Sequence, residues 1–425
     1  MTRTKSSVLT APGIPHLLVL VLLCFSGFAL LLPVTPQWAL HGGADEFGAG
    51  LVTATLMAAT VLAQLLVKLA LRTLGWSRTL SLGALLLGLP APVQAVSDSL
   101  WAILVTTALR GLGFGIITVC GSTAVAMLAP RERQGAAIGL YGLAVALPQM
   151  VLTPAAPALT AAFALPTIIA CGAVPVLALP FARTLGRAVD TRAAAPDPER
   201  IAGGDAGTAS SLTVLRRIWL PLTTLLLVTS AGGAVLTFTP QFAERAALAA
   251  TALLLFTATA AGTRWGFGVL VDRFSPRPLS CALLVAAGAG LALIAVAIGS
   301  AAPGVMLLLC GLVLLGAAYG GLQSITLVQA LNQAGPKNRH TTSVAWNIGY
   351  DTGTGLGSLL LGFAAQVATF SAGFAALSCV LAVMAVVSPT IGPRRPATTD
   401  SEQAPTGTGP RRKARRSTPR SPSDG

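Results

Sequence analysis

The sequence predicts an all-α integral membrane protein whose twelve transmembrane helices form two pseudo-symmetric six-helix bundles. Three observations predict it. Of the 425 residues, 54% are hydrophobic and only 10% are charged, with a mean hydropathy of +0.75, more than a water-exposed surface tolerates. Apolar windows of about 20 residues, the length at which an α-helix crosses roughly 30 Å of hydrocarbon, recur twelve times. Between them, Lys and Arg gather in every second connection, which is the charge asymmetry of a chain crossing a bilayer back and forth.

In order, the windows fall at 15–36, 48–70, 79–97, 100–129, 135–159, 162–182, 218–240, 246–270, 278–299, 303–330, 341–367 and 371–391. Ala, Leu, Gly and Val dominate and period-2 alternation is rare, so these are helices rather than barrel strands. The first window follows Arg3 and Lys5 but is too long for a signal peptide and runs into Pro33, Pro36 and Gln37, so it reads as a retained helix. With both termini inside, the inner connections hold Lys68, Arg72, Arg78, Arg131, Arg133, Arg273, Arg277, Lys337 and Arg339. The outer ones hold only Arg245, together with Asp45, Glu46, Asp98 and Glu244. The expected location is the plasma (inner) membrane.

The domain order follows: a cytoplasmic N-terminus at 1–14, a first bundle at 15–182, a polar linker at 183–217, a second bundle at 218–392 and a basic tail at 393–425. The tail is rich in Pro, Ser, Thr and Arg and is expected to be disordered. Most of the net charge of +14 is the inside charge plus this tail, which points to an anionic lipid surface and away from nucleic acid. The six cysteines lie within apolar spans and the three histidines are scattered, so the sequence supports no metal site, no cofactor and no catalytic triad. A monomer in the lipid bilayer, moving a small molecule rather than acting as an enzyme, is expected.

The halves echo each other. At an offset of 206, "PRERQ" at 130–134 falls on "PKNRH" at 336–340, and "GLGFG" at 111–115 on "AAYGG" at 317–321. At an offset of 200, "KLALRTLGWS" at 68–77 falls on "GVLVDRFSPR" at 268–277.

Six plus six helices, inside termini, a long central connection and Gly-x-x-x-Asp-Arg-x-x-x-Arg after the eighth span together resemble the major facilitator superfamily of secondary transporters, over roughly residues 15–392. In that family this motif latches the two halves at the cytoplasmic gate. Gly268, Asp272, Arg273 and Arg277 fit it, while Ser275 and Pro276 depart from it. In the first-half copy Lys68 stands for the Gly and Arg72 for the Asp, so the usual latch acid is missing there.

An ionisable group inside a span costs roughly 2.5–3.5 kcal/mol on insertion scales, so it faces a partner or an aqueous cavity. Arg110, Arg264 and Asp351 qualify. Asp351 has two readings: a proton-coupling carboxyl, or a static salt bridge to a neighbouring helix, with Lys68 or Arg72 as candidate partners. Arg110 resembles the arginine that family members use in proton transfer, and reads otherwise as a structural cation bonded to carbonyls. Gly349, Gly353, Gly355 and Gly357 around Asp351 permit either a moving interface or tight packing. Gln37, Gln149, Tyr319, Gln323 and Asn347 are candidate substrate-cavity residues, with interhelical hydrogen bonding as the alternative.

In the fifth span, Pro154 among small residues resembles, without its glycines, the Gly-Pro motif of drug/proton antiporters. The resemblance therefore implies proton-coupled efflux of a drug, antibiotic or other secondary metabolite by alternating access. Proton-coupled uptake of a sugar, organic acid or other nutrient is the alternative.

Overall fold

The computed structural model describes residues 11–129, 133–194, 210–243, 245–270, 276–300 and 304–391. The N-terminal segment, the basic tail and the middle of the linker lie outside the described residues, as do Asp272 and Arg273 of the gate motif. The elements are α1 (Ile14–His41), α2 (Glu46–Gly88), α3 (Pro90–Gln94), α4 (Leu100–Leu128), α5 (Gln134–Ala162), α6 (Leu165–Cys171), a 3-10 turn (Val174–Ala178) and α7 (Leu179–Ala194). The second half holds α8 (Ser211–Phe242), α9 (Ala246–Leu270), α10 (Pro276–Gly299), α11 (Val305–Ala334), a 3-10 turn (Pro336–Asn338), α12 (Arg339–Val367) and α13 (Phe370–Ile391).

Ten helical stretches among the described residues are long and apolar enough to cross a bilayer. One of them, α2, makes two crossings. Its 43 residues would span about 65 Å if straight, and it breaks at Gly75, whose φ of 76° and ψ of 172° are not helical and are open to glycine alone among the common residues. The packing on α4 shows that the chain reverses there. A Cβ on Gly111 or Gly115 would lie 2.8 Å from the Cβ of Ala59 or Ala63, so the first arm of α2 runs parallel to α4. A Cβ on Gly113 would meet the Leu87 backbone nitrogen, whereas one on Gly83 would lie 2.8 Å from the Ile116 side chain. The second arm therefore runs antiparallel to α4. The twelfth crossing is α12, which is less apolar because it bears Asn347, Asp351 and Gln366.

The second half repeats this arrangement. A Cβ on Gly316 would meet the Phe256 carbonyl at 2.5 Å, and one on Gly320 the Thr263 Oγ1 at 2.6 Å, so α9 runs parallel to α11. A Cβ on Gly290 would lie 2.7 Å from the Gly311 carbonyl, which packs α10 on α11. The equivalence corrects the sequence echo by one residue: Gly111 and Gly115 answer to Gly316 and Gly320, an offset of 205 rather than 206. The connections set the offset of 206, whereas close backbone approach sets the register inside the helices.

Two boundaries also differ from expectation. The window at 162–182 is not one helix but α6, the 3-10 turn and α7, because Pro175 and Pro180 each remove a backbone donor from a continuous ladder. The polar stretch at 183–217 is helical at both ends: α7 runs to Ala194, with Leu185 and Val189 fully buried, and α8 starts at Ser211, capped by the Ser210 hydroxyl accepting from Thr213 N at 3.3 Å.

The halves meet along a seam between α2 and α12. A Cβ on Gly50 would meet the Ser358 carbonyl at 2.5 Å, and one on Gly355 the Met57 Cβ at 3.0 Å. Gly353 and Gly357, on another face of α12, pack against α8, where Ser230 Oγ donates to the Gly353 carbonyl at 3.0 Å. The glycines around Asp351 thus serve two tight contacts. Hydrogen bonds tie the seam at three levels: Gln366 Nε2 to Asp45 at 2.5 Å, the Thr53 hydroxyl 3.1 Å from that of Thr237 on α8, which is itself 2.9 Å from the Ser358 hydroxyl of α12, and Gln64 Nε2 to Asp351 Oδ2 at 2.6 Å. The end of the molecule that holds Asp45 is tied further by His41 and Asp98, 3.2 Å apart, and by Trp38 Nε1 donating to the Gln94 carbonyl at 3.0 Å.

Candidate functional site

Between the halves lies a cavity of about 870 Å³, counting the part open to solvent. The first half contributes Phe25 and Phe28 from α1, Gln64 from α2, Phe114 from α4 and Gln149 from α5. The second half contributes Arg264 from α9 and Trp346, Asn347, Tyr350 and Asp351 from α12. A second chamber adjoins it, shares Leu32, Gln149, Leu236, Arg264 and Tyr350, and adds Phe256, Tyr319 and Gln323.

Helical spacing explains why these side chains converge. Phe114 stands one turn beyond Arg110 on α4, and Asn347 and Asp351 are one turn apart on α12, with Trp346 and Tyr350 on the adjoining stripe. The rings form two groups. In the first half Phe28 and Phe114 stack at 3.9 Å with 5° between their planes, and Phe25 meets Phe114 edge-on at 5.2 Å. In the second half Trp346 stacks on Tyr350 at 5.8 Å, the Tyr350 and Tyr319 hydroxyls are 2.6 Å apart, and Tyr319 meets Phe256 at 5.2 Å. Trp346 Nε1 is held by the Thr326 hydroxyl at 3.2 Å, which fixes its ring.

Asp351 is 5% exposed, and its one side-chain hydrogen bond among the described residues comes from the Gln64 amide. Among the described residues no cation lies within 4 Å of it. Lys68 and Arg72, one and two turns beyond Gln64, are exposed, so the salt bridge considered for them is not formed here. Gln64 Oε1 is buried and has no partner among the described residues. Arg110 is 1% exposed and lines neither chamber. Its Nη2 donates to the Gly27 carbonyl at 3.4 Å, and its Nε has no partner among the described residues.

Of the residues expected to face substrate, Gln149 and Asn347 line the first chamber, and Gln149, Tyr319 and Gln323 the second. Gln37 lines neither: its amide bonds back to the Pro33 carbonyl at 3.0 Å. Gly268 lies in the last turn of α9 and Arg277 in the first turn of α10, half-buried. Sequence reasoning missed Gln64, Tyr350 and the phenylalanines Phe25, Phe28 and Phe114. The signal for Gln64 was present, since "VLAQLLVK" at 61–68 sets one amide in an apolar run. Arg264, read from the sequence only as a charge within a span, borders both chambers.

The sequence matches the Major Facilitator Superfamily model over residues 17–351. The chain belongs to this superfamily. As a facilitator it is a multi-pass membrane transporter rather than an enzyme, and its fold recurs in solved transporters. The nucleoside transporter NupG has 14% sequence identity and a TM-score of 0.69, with 89% of this chain and 98% of that chain covered. A bacterial homologue of the human lysosomal transporter Spinster, inward-facing and unoccupied, has 14% identity and a TM-score of 0.67 over 89% and 95% of the two chains. The peptide transporter POT in complex with sulfate has 16% identity and a TM-score of 0.70 over 91% and 96%. At these identities the likeness is one of fold. No curated protein sequence matches the chain.

Proposed function

We propose that this facilitator exports a small organic compound by alternating access, rocking its two six-helix halves about the central cavity, and that protons drive it through Asp351. The observation that carries the proton role is the Asp351–Gln64 pair. A carboxyl group at the inner end of the α2–α12 seam is held by a neutral amide at 2.6 Å, while the acceptor oxygen of the same amide is buried and unpartnered. Ionised, Asp351 accepts from Nε2. Protonated, its O–H supplies the donor that Gln64 Oε1 lacks. The pair therefore suits both charge states, as a proton carrier at a moving interface requires. Arg110, bonded to an α1 carbonyl through one arm and half-satisfied, is read as the cation that sets the field of the first half. Support for export comes from α5, whose Pro154 segment resembles the antiporter motif and packs on α1 through Thr153 Oγ1 to the Ala29 carbonyl at 3.1 Å.

The test uses everted membrane vesicles and a labelled compound to which overexpression of the protein confers resistance. An imposed acid-inside gradient should drive uptake into the vesicles, and Asp351→Asn should abolish that response while leaving binding. Gradient-independent uptake, or an Asp351→Asn protein that still concentrates the compound, would overturn the proton role. One observation favours the alternative reading, uptake with the proton moving in the same direction: Arg264 shares the cavity with Asp351, so a protonated Asp351 leaves the cavity positive and an anion could enter together with the proton. Energised accumulation in whole cells would mark that case.

A further inference from the structure

We infer that the cavity is built for a planar aromatic anion, of which an aromatic carboxylate is the simplest form. The inference rests on the cavity being the substrate site, as proposed above, and is independent of the direction of transport and of the proton's role.

The first support is charge. Among the described residues, Arg264 and Asp351 are the only side chains with full charge lining the two chambers, and they are placed unequally. Asp351 is buried in the seam and engaged by Gln64. Arg264 is exposed, borders both chambers, and makes no ion pair or side-chain hydrogen bond among the described residues; only its backbone carbonyl is used, accepting from Ser324 Oγ at 2.7 Å. The charge that a solute meets on entry is therefore the guanidinium. Its planar fork of donors matches the two oxygens of a carboxylate. One hydroxyl of the Tyr319–Tyr350 pair and the amides of Gln149 and Gln323 border the same chamber and offer further donors to such a group.

The second support is shape. The parallel Phe28–Phe114 pair is closed at 3.9 Å, so it admits nothing between its rings and presents a flat face. Trp346 and Tyr350, 25° apart, present another from the opposite half, and both pairs line the first chamber. A flat π-system is the solute that gains most from two such faces, because offset stacking adds to the area buried. An aliphatic chain of equal volume gains only the area. With its ring between the halves and its carboxylate on Arg264, such a solute would span both chambers.

Equilibrium binding to the purified full-length protein tests this without a pH gradient. The probes, measured by titration calorimetry, are 2-naphthoate, its neutral amide 2-naphthamide, and cyclohexanecarboxylate. We expect 2-naphthoate to bind about tenfold or more tightly than either of the others, the ratio that one charge-assisted hydrogen bond or one stacking face supplies. Arg264→Gln should bring naphthoate down to the affinity of the amide and leave the amide's own affinity within about twofold, which also shows that the variant is folded. Trp346→Leu should weaken both naphthyl probes alike.

The inference is overturned if naphthoate does not bind, if the amide or the cyclohexane acid binds as well as naphthoate, or if Arg264→Gln leaves their ratio unchanged. Anion-selective binding without proton-driven transport would sink the coupling alone. Proton-driven transport of another compound, with no such selectivity, would sink this inference alone.

Discussion

The two ends of the α-helical walls between the halves use glycine in opposite ways. Toward the Asp45 end, α2 and α12 are sealed by glycines in contact: Gly50 on Ser358, Gly355 on Met57, and Gly362 on the Glu46 carbonyl. At the other end, the first turns of α5 carry Gly135, Gly139 and Gly142 and the last turns of α9 carry Gly262 and Gly266, and a Cβ on any of these five would meet nothing within 4 Å among the described residues. Inside a bilayer, helices gain from close van der Waals packing rather than from burying apolar surface. A glycine stripe in contact is therefore a closed joint, and one facing space is a joint available to another conformation. The difference teaches which wall holds this state and which wall is free to change.

Breaking the closed joint should have the largest effect. Gly50→Leu drives a side chain into the Ser358 backbone of α12, and overpacking of this kind costs about 1–3 kcal/mol. The purified variant should lose its native size-exclusion peak at markedly lower temperature than the parent. If it melts with the parent, the seam is not tightly packed.

Next comes Gln64→Leu. It removes the donor to a buried Asp351 and should cost about 1–3 kcal/mol. Asp351→Asn should be milder because an amide can pair with an amide, and the double change to leucine at both positions should recover part of the loss. Additive losses in that cycle would show that the two residues do not act as a pair.

The open joint gives a smaller effect on stability and a separate one on transport. Gly139→Leu and Gly266→Leu should each leave stability within about 0.5 kcal/mol yet lower the transport rate, since the added side chains obstruct the faces that must meet when the cavity opens toward Asp45. Unchanged transport would assign these glycines to lipid contact. Smallest of all should be Gln366→Ala, because its bond to Asp45 is exposed, and a change beyond about 0.5 kcal/mol in thermal stability would mean that the Asp45 end holds more of the closure than the glycines do.

The architecture was legible because membrane crossing needs one property, a long apolar run, which hydropathy reads directly. What hydropathy cannot read is where such a run is interrupted. Pro175 and Pro180 break the sixth crossing inside the window at 162–182, whereas the turn at Gly75 falls in the gap already left between the windows at 48–70 and 79–97. The repeat was legible to within one residue: connections and helices drift apart in length, and only the contacts at Gly316 and Gly320 fix the helical register.

At the site, a search for charge finds Asp351, Arg110 and Arg264, because charge is scarce enough in the spans for each one to stand out. It passes over Gln64, since an amide costs little to bury once bonded and leaves no mark in a count of charges. The phenylalanine face escaped for another reason. Phe25, Phe28 and Phe114 look like ordinary core on their own helices, and only the approach of α1 to α4 assembles them. The replacement for the latch acid missing at Arg72 is not Asp351 in this state, because that carboxyl is taken by Gln64.

The most direct test of the central claim is whether Asp351 itself binds a proton that the protein can exchange. Infrared difference spectra of the purified protein, recorded across pH in water and in deuterium oxide, isolate the C=O stretch of a protonated carboxyl group. The account predicts a band that appears reversibly as pH falls, shifts in deuterium oxide, and is missing from Asp351→Asn; Gln64→Leu should move its frequency. An identical band in Asp351→Asn, or no band in the parent at any pH at which it stays folded, would contradict it.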